Sequence, residues 1–176
     1  MAADALLLAG CSDAKAERPP NVAALDPCAL LTGKELDELR LEVFTHDEDG
    51  RRRRSCTFTS TSVLIGIGEK DVIDTLKLTV WDNPGPNDSS PDAKSMAEAS
   101  RRAGNEDLTT MTVKGREIYR VGQPTSRESA LYFPVNATST VSAGVSAVSA
   151  SAKYPLSDLV KWIEAKLPAR PTANGQ

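Results

Sequence analysis

The chain of 176 residues predicts an α+β domain: an antiparallel sheet with flanking helices, the C-terminal helix packed on the sheet. Three patterns carry that expectation. Runs such as Leu76–Val80 and Val141–Ala147 alternate apolar with polar residues, the period of a strand with one buried face. Lys114-Gly115 separates two further runs at hairpin spacing. Helical patterns stand before, between and after groups of strands rather than after each strand, which is the order of an antiparallel α+β domain and not of a parallel α/β one.

The elements follow in order. Asp26-Pro27-Cys28 opens the domain. Thr32-Gly33-Lys34-Glu35 spells a capping box, with Thr32 at the N-cap and Glu35 at N3, and Leu36 and Leu39 share one face of the short helix behind it. Val43 and Phe44 begin an extended segment. His46 to Gly50 and Arg51 to Arg54 read as a charged loop, with strands expected at Cys56–Ser60 and Val63–Ile67. Leu76, Leu78 and Val80 alternate with Lys77 and Thr79, which gives Trp81 the parity of the polar face. Covered by a helix, Trp81 is packing; uncovered, it is an aromatic able to meet a sugar or an acyl chain. Asn83 to Asn87 is a loop rich in proline.

Ser90 is the expected N-cap of the second helix, with Pro91 at N1. Ala93, Met96, Ala97 and Ser100 form its weakly apolar side and Gly104 ends it. Leu108–Val113 and Arg116–Val121 flank the Lys114-Gly115 turn. Leu131, Phe133 and Val135 alternate in the next strand, which Pro134 restricts to an edge or a strand end. Val141, Ala143, Val145 and Ala147 define a long final strand. Leu156, Leu159, Val160, Ile163 and Leu167 mark one face of the last helix at a period of 3.6, and Pro168 closes it. Residues 25–168 are thus expected as one domain, and 169–176 as a disordered tail.

Composition narrows the function. Hydrophobic residues make up 40% and aromatic ones 5% of the chain, so the core must be built from aliphatic side chains. The net charge of −3 argues against nucleic acid as a partner. The N-terminus speaks to location. Leu6-Leu7-Leu8-Ala9-Gly10-Cys11 is an apolar run ending in small residues and a cysteine, and polar sequence begins at Ser12. That is the pattern of a bacterial lipoprotein signal: peptidase cleavage before Cys11, whose thiol takes a diacylglycerol group. Residues 1–10, with the acidic Asp4, are read as part of a signal peptide. Residues 11–24 are read as a lipidated tether with an r.m.s. reach of roughly 20 Å. The expected location is extracytoplasmic, anchored to the cell membrane by lipid. Cys28 and Cys56 then remain, and in an oxidising compartment such a pair usually bonds; the alternative is two buried thiols.

The landmarks Leu8-Ala9-Gly10-Cys11, Leu25-Asp26-Pro27-Cys28-Ala29-Leu30-Leu31-Thr32, Glu35-Leu36, Cys56-Thr57-Phe58, Val113-Lys114-Gly115-Arg116 and Leu167-Pro168 resemble the actinobacterial lipoproteins grouped as domain of unknown function 3558. The resemblance runs from Cys11 to Pro168. It implies a lipid-anchored envelope protein whose cystine links the first helix region to the first strand, and it brings no activity with it.

Features that could carry chemistry are few. His46 is the sole histidine, and no Gly-x-Ser-x-Gly elbow accompanies it. Asp47-Glu48-Asp49-Gly50 lacks the spacing and distal glutamate of a calcium loop. Gly66-x-Gly68 lacks the third glycine and the strand–helix setting of a dinucleotide loop, and no cofactor is expected. Arg51, Arg52, Arg53 and Arg54 are the sharpest charge feature. They could hold phosphate, an anionic headgroup or an acidic polymer; alternatively they are a solvated hairpin loop whose charge discourages edge pairing. The sequence therefore predicts a non-catalytic envelope protein that binds a protein, glycan or lipid. The alternative is an enzyme acting on an envelope substrate.

Overall fold

A computed structural model describes residues 24–49, 53–60, 73–82, 92–104, 106–122, 128–136, 138–147 and 156–169. Cys11 and the tether up to Ala23, Arg51, Arg52, the expected strand at Val63–Ile67, the Gly66 and Gly68 turn, the loop at Asn83–Asn87, Ser90, Pro91 and the tail beyond Ala169 lie outside them. The described residues form α1 (Gly33–Leu39), β1 (Leu41–Asp49), β2 (Arg53–Ser60), β3 (Ile73–Asp82), α2 (Ala93–Gly104), β4 (Leu108–Val113), β5 (Arg116–Val121), β6 (Glu128–Pro134), β7 (Ser139–Ala147) and α3 (Leu156–Lys166). One turn of 3₁₀-helix at Pro27–Ala29 precedes α1.

The seven strands form one antiparallel sheet in the order β1-β2-β3-β7-β6-β5-β4. It is two meanders joined at the centre by β3 and β7. The register sorts the side chains. Phe58 and Cys56 stand opposite Leu76 and Leu78. Leu76, Leu78 and Val80 stand opposite Val145, Ala143 and Val141. Ala143 and Val141 stand opposite Leu131 and Phe133. Period-two alternation therefore gathers the apolar side chains of four central strands on one face. Leu30, Leu31 and Leu39 from the N-terminal turns, and Leu159, Val160, Ile163 and Leu167 from α3, complete a single buried core on that face. Leu156 packs against this core half-buried, so the whole predicted stripe of α3 points inward.

Local signals hold these elements. Thr32 caps α1: its hydroxyl accepts from the Glu35 amide, and the Glu35 carboxylate accepts from the Thr32 amide. Arg40, at φ 56°, turns the chain out of α1 into β1. The β4–β5 hairpin turns on Lys114 and Gly115, both at positive φ (49° and 77°), the geometry that matches the twist of a two-residue hairpin. The β6–β7 link is closed by Asn136, whose carboxamide oxygen accepts from the Thr138 amide.

Cys28 and Cys56 are joined by a disulfide with Cα atoms 5.2 Å apart. It fixes the 3₁₀ turn against β2. A second long-range clamp lies at the other side of the core. Arg116, 2% exposed, places Nε 2.7 Å from Oε2 of Glu164 in α3, itself 6% exposed. Arg116 also donates to the carbonyls of Pro134 and Pro168.

Two expectations need correction. The charged segment from His46 to Arg54 is mostly strand: β1 extends to Asp49 and β2 begins at Arg53. Glu48 stands opposite Arg54 and Asp49 opposite Arg53, so opposite charges on paired positions do what apolar alternation does elsewhere. The N-cap of α2 is Asp92 rather than Ser90: its carboxylate accepts from the Ser95 amide at 2.8 Å and its carbonyl from the Met96 amide. Pro134 stands where expected, at the end of a strand: it closes β6, which lies between β5 and β7.

Candidate functional site

The opposite face of the sheet has a different chemistry. Ser55, Thr57 and Thr59 of β2, Thr75, Lys77 and Thr79 of β3, and Ser142, Gly144 and Ser146 of β7 have the parity of this face. α2 packs on it over β4 to β7, seating Ala93 and Ala97, both buried. Under the helix, Val121 of β5 and Ala130 of β6 share the parity of this face, so small side chains on α2 meet small and apolar ones on the sheet. β3 is only partly roofed.

An open groove of about 420 Å³ runs beside the last turn of α2, within the size range of small-ligand sites. Its floor is Lys77, Gly144 and Ala130, consecutive across β3, β7 and β6. Thr75, Ser146 and Glu128 form the next row, and Ser100, Gly104 and Glu106 the wall on the helix side. A Cβ added to Gly144 would meet only the Lys77 carbonyl oxygen, 4.0 Å away. The glycine therefore leaves the floor bare where a side chain would occupy the groove. The exposed lining is mainly apolar, with hydroxyls, one ammonium and two carboxylates among it, so the groove offers both apolar contact and hydrogen-bonding groups.

Trp81 lies on the same face, four residues along β3 from Lys77. Its indole Nε1–H donates to Ser142 Oγ at 3.1 Å, and the Arg53 guanidinium carbon sits 5.1 Å from the ring centroid, a cation–π distance. Trp81 is half-buried. Arg54 points to the core face, opposite Val80. The two described arginines of the run therefore belong to different faces of β2, and the structure does not bring them together as one patch.

His46 stands opposite Cys56 on β1, with Nε2 3.8 Å from Glu48 Oε1. Its ring, the Asp26 carboxylate and the Cys28 sulfur approach within 4.8 Å of one another. The Cys28 sulfur is already bonded to Cys56, and Asp26 Oδ1 accepts from the Cys28 amide. That leaves an exposed histidine and an exposed carboxylate, too few ligands for a metal centre. Nor does a serine or threonine hydroxyl contact His46 among the described residues, so no nucleophile–base pair forms there.

No family model, curated protein or solved structure matches this chain. Among the described residues no helix is long and apolar enough to cross a membrane. Sequence reasoning missed the groove because its residues are individually bland. The signal present was the run of serine, threonine and glycine at the polar positions of β3 and β7, where a solvated face would carry more charge.

Proposed function

We propose that this protein is a lipid-anchored component of the bacterial cell envelope whose domain binds a glycan without transforming it. The groove between α2 and β3 carries the reading: its small-residue floor and mixed hydroxyl, ammonium and carboxylate rim present hydrogen-bonding partners to a hydroxyl-rich ligand. The Leu-Ala-Gly-Cys motif ending at Cys11 supplies the anchor. The Cys28–Cys56 bond suits an oxidising compartment outside the cytoplasm. The resemblance to the actinobacterial lipoproteins of domain of unknown function 3558 supports the lipid anchor, and with it the membrane as one partner.

The test has two arms. Expressed with a complete signal sequence, the protein partitions into detergent, and Cys11→Ser moves it to the aqueous phase. Fragments of envelope polysaccharide titrated into the protein shift amide resonances of Lys77, Ala130 and Gly144, and Gly144→Leu, which fills the groove, abolishes those shifts. Equal partitioning of both forms would refute the anchor. Shifts that survive Gly144→Leu, or no binding across a broad panel of envelope glycans, would refute the glycan site.

A further inference from the structure

We infer that the outer edge of β1 docks a basic, extended segment of a partner protein, which joins the sheet as an eighth strand. This surface is separate from the groove. Among the described residues β1 pairs with β2 alone and ends the sheet, and an edge strand is the template for strand addition. The two edges of the sheet differ in kind. β4 shows solvent Thr109, Thr110 and Thr112. β1 carries the two large apolar side chains that stand exposed among the described residues, Val43 at 53% and Phe44 at 69%. They are adjacent, at a bulge where the register passes from Val43 opposite Phe58 to Thr45 opposite Thr57 and leaves Phe44 without a partner on β2. Beyond the bulge, Thr45–Asp49 runs in unbroken register with β2.

Charge chooses the occupant. Between Asp26 and Asp49 the chain has eight acidic residues and two basic ones. With a total of −3, the remainder of the protein is net positive. The acids are concentrated on β1 and on α1, which packs beside it. Glu48 and Asp49 face Arg54 and Arg53 across the hairpin, and Glu38 of α1 pairs with Lys34 at 3.9 Å, which leaves Glu42 and Asp47 on β1 and Asp37 on α1, all exposed. A second copy joined β1 to β1 would set these acids against one another. A strand with Lys or Arg at alternate positions meets Glu42 and Asp47 and lays an apolar residue over Val43 and Phe44.

The probe is a nine-residue acetylated and amidated peptide alternating Lys with Thr around a central Val, compared with the same peptide carrying Glu for Lys. Titrated into the whole protein at low salt, the Lys peptide shifts amides between Glu42 and Asp49, and the Glu peptide does not. Binding weakens as salt rises. Phe44→Ala weakens it about tenfold to a hundredfold, the worth of covering one phenylalanine, while thermal stability stays unchanged because the ring is exposed. Glu42→Lys with Asp47→Lys transfers the preference to the Glu peptide. Equal binding of both peptides, shifts centred on β4 or the groove, or self-association that Phe44→Ala abolishes would overturn the inference. Gly144→Leu leaves peptide binding intact, so this test and that of the glycan groove fail independently.

Discussion

Glu164→Gln isolates the buried clamp between β5 and α3. The substitution keeps the volume and removes the charge. Arg116 is 2% exposed, and its Nε loses the anion 2.7 Å away. It keeps the carbonyl oxygens of Pro134 and Pro168, so the guanidinium remains buried without that anion. Breaking one side of a buried ion pair costs about 3–5 kcal/mol, and the two retained carbonyls place this case near the lower end. At roughly 2–4 °C per kcal/mol for a domain of this size, the melting temperature should fall by about 6–12 °C. The double variant Arg116→Met with Glu164→Leu removes both charges and keeps the volume, and should recover most of that loss. Thermal and urea unfolding followed by circular dichroism measure all three variants. A fall of less than about 2 °C for Glu164→Gln against the roughly 6–12 °C expected, or a double variant less stable than the single, would refute the reasoning.

Three further outcomes follow from the same structure. Leu159→Ala empties a fully buried site and should cost about 2–5 kcal/mol, while Leu156→Ala, half-buried at the start of α3, costs clearly less in the same urea titration. Alkylation of unfolded, unreduced and unlipidated protein should label Cys11 alone, and reduction should lower stability by about 3–4 kcal/mol, as expected for releasing a loop of this length; labelling of Cys28 or Cys56 before reduction counts against the bond. Gly115→Ala places a Cβ at a φ of 77° and should cost about 1–2 kcal/mol, read from the urea midpoint.

Much of the fold could be read locally. The capping box at Thr32, the Lys114-Gly115 turn, the alternation of β3 and β7 and the stripe of α3 each need only a few neighbouring residues, and each stands where its pattern points. The misreadings share one cause. Arg53 and Arg54 look like loop until Asp49 and Glu48 are known to lie opposite them, and that pairing belongs to the register rather than to either segment. Asp92 and Ser90 are both good caps by chemistry, and only the helix start decides between them. Arg116 reads as an ordinary strand residue because its anion lies in α3, far along the chain. The groove and the acidic edge are assembled from distant segments in the same way.

The path of the chain explains why a groove stands where it does. Alternating antiparallel pairings across β3, β7, β6, β5 and β4 make β3 and β4 run in the same direction. The link between them must therefore travel back along a face of the sheet. The apolar face is already covered by the N-terminal turns and α3, so α2 takes the opposite face. Its twelve residues extend about 18 Å, close to the ~20 Å that six strand residues rise, and so bring the chain from the level of Trp81 back to that of Thr75. In displacing the chain toward β4, α2 lies over β5 and β6 more than over β7. β3 is left at the rim of its shadow. An apolar strip there would invite non-specific association, whereas Thr75, Lys77 and Ser146 tolerate water. A sheet that needed this face only for packing α2 would gain stability from valine or isoleucine at those positions. Hydroxyls and a bare Gly144 forgo that gain and leave the strip open, as the proposed glycan site requires.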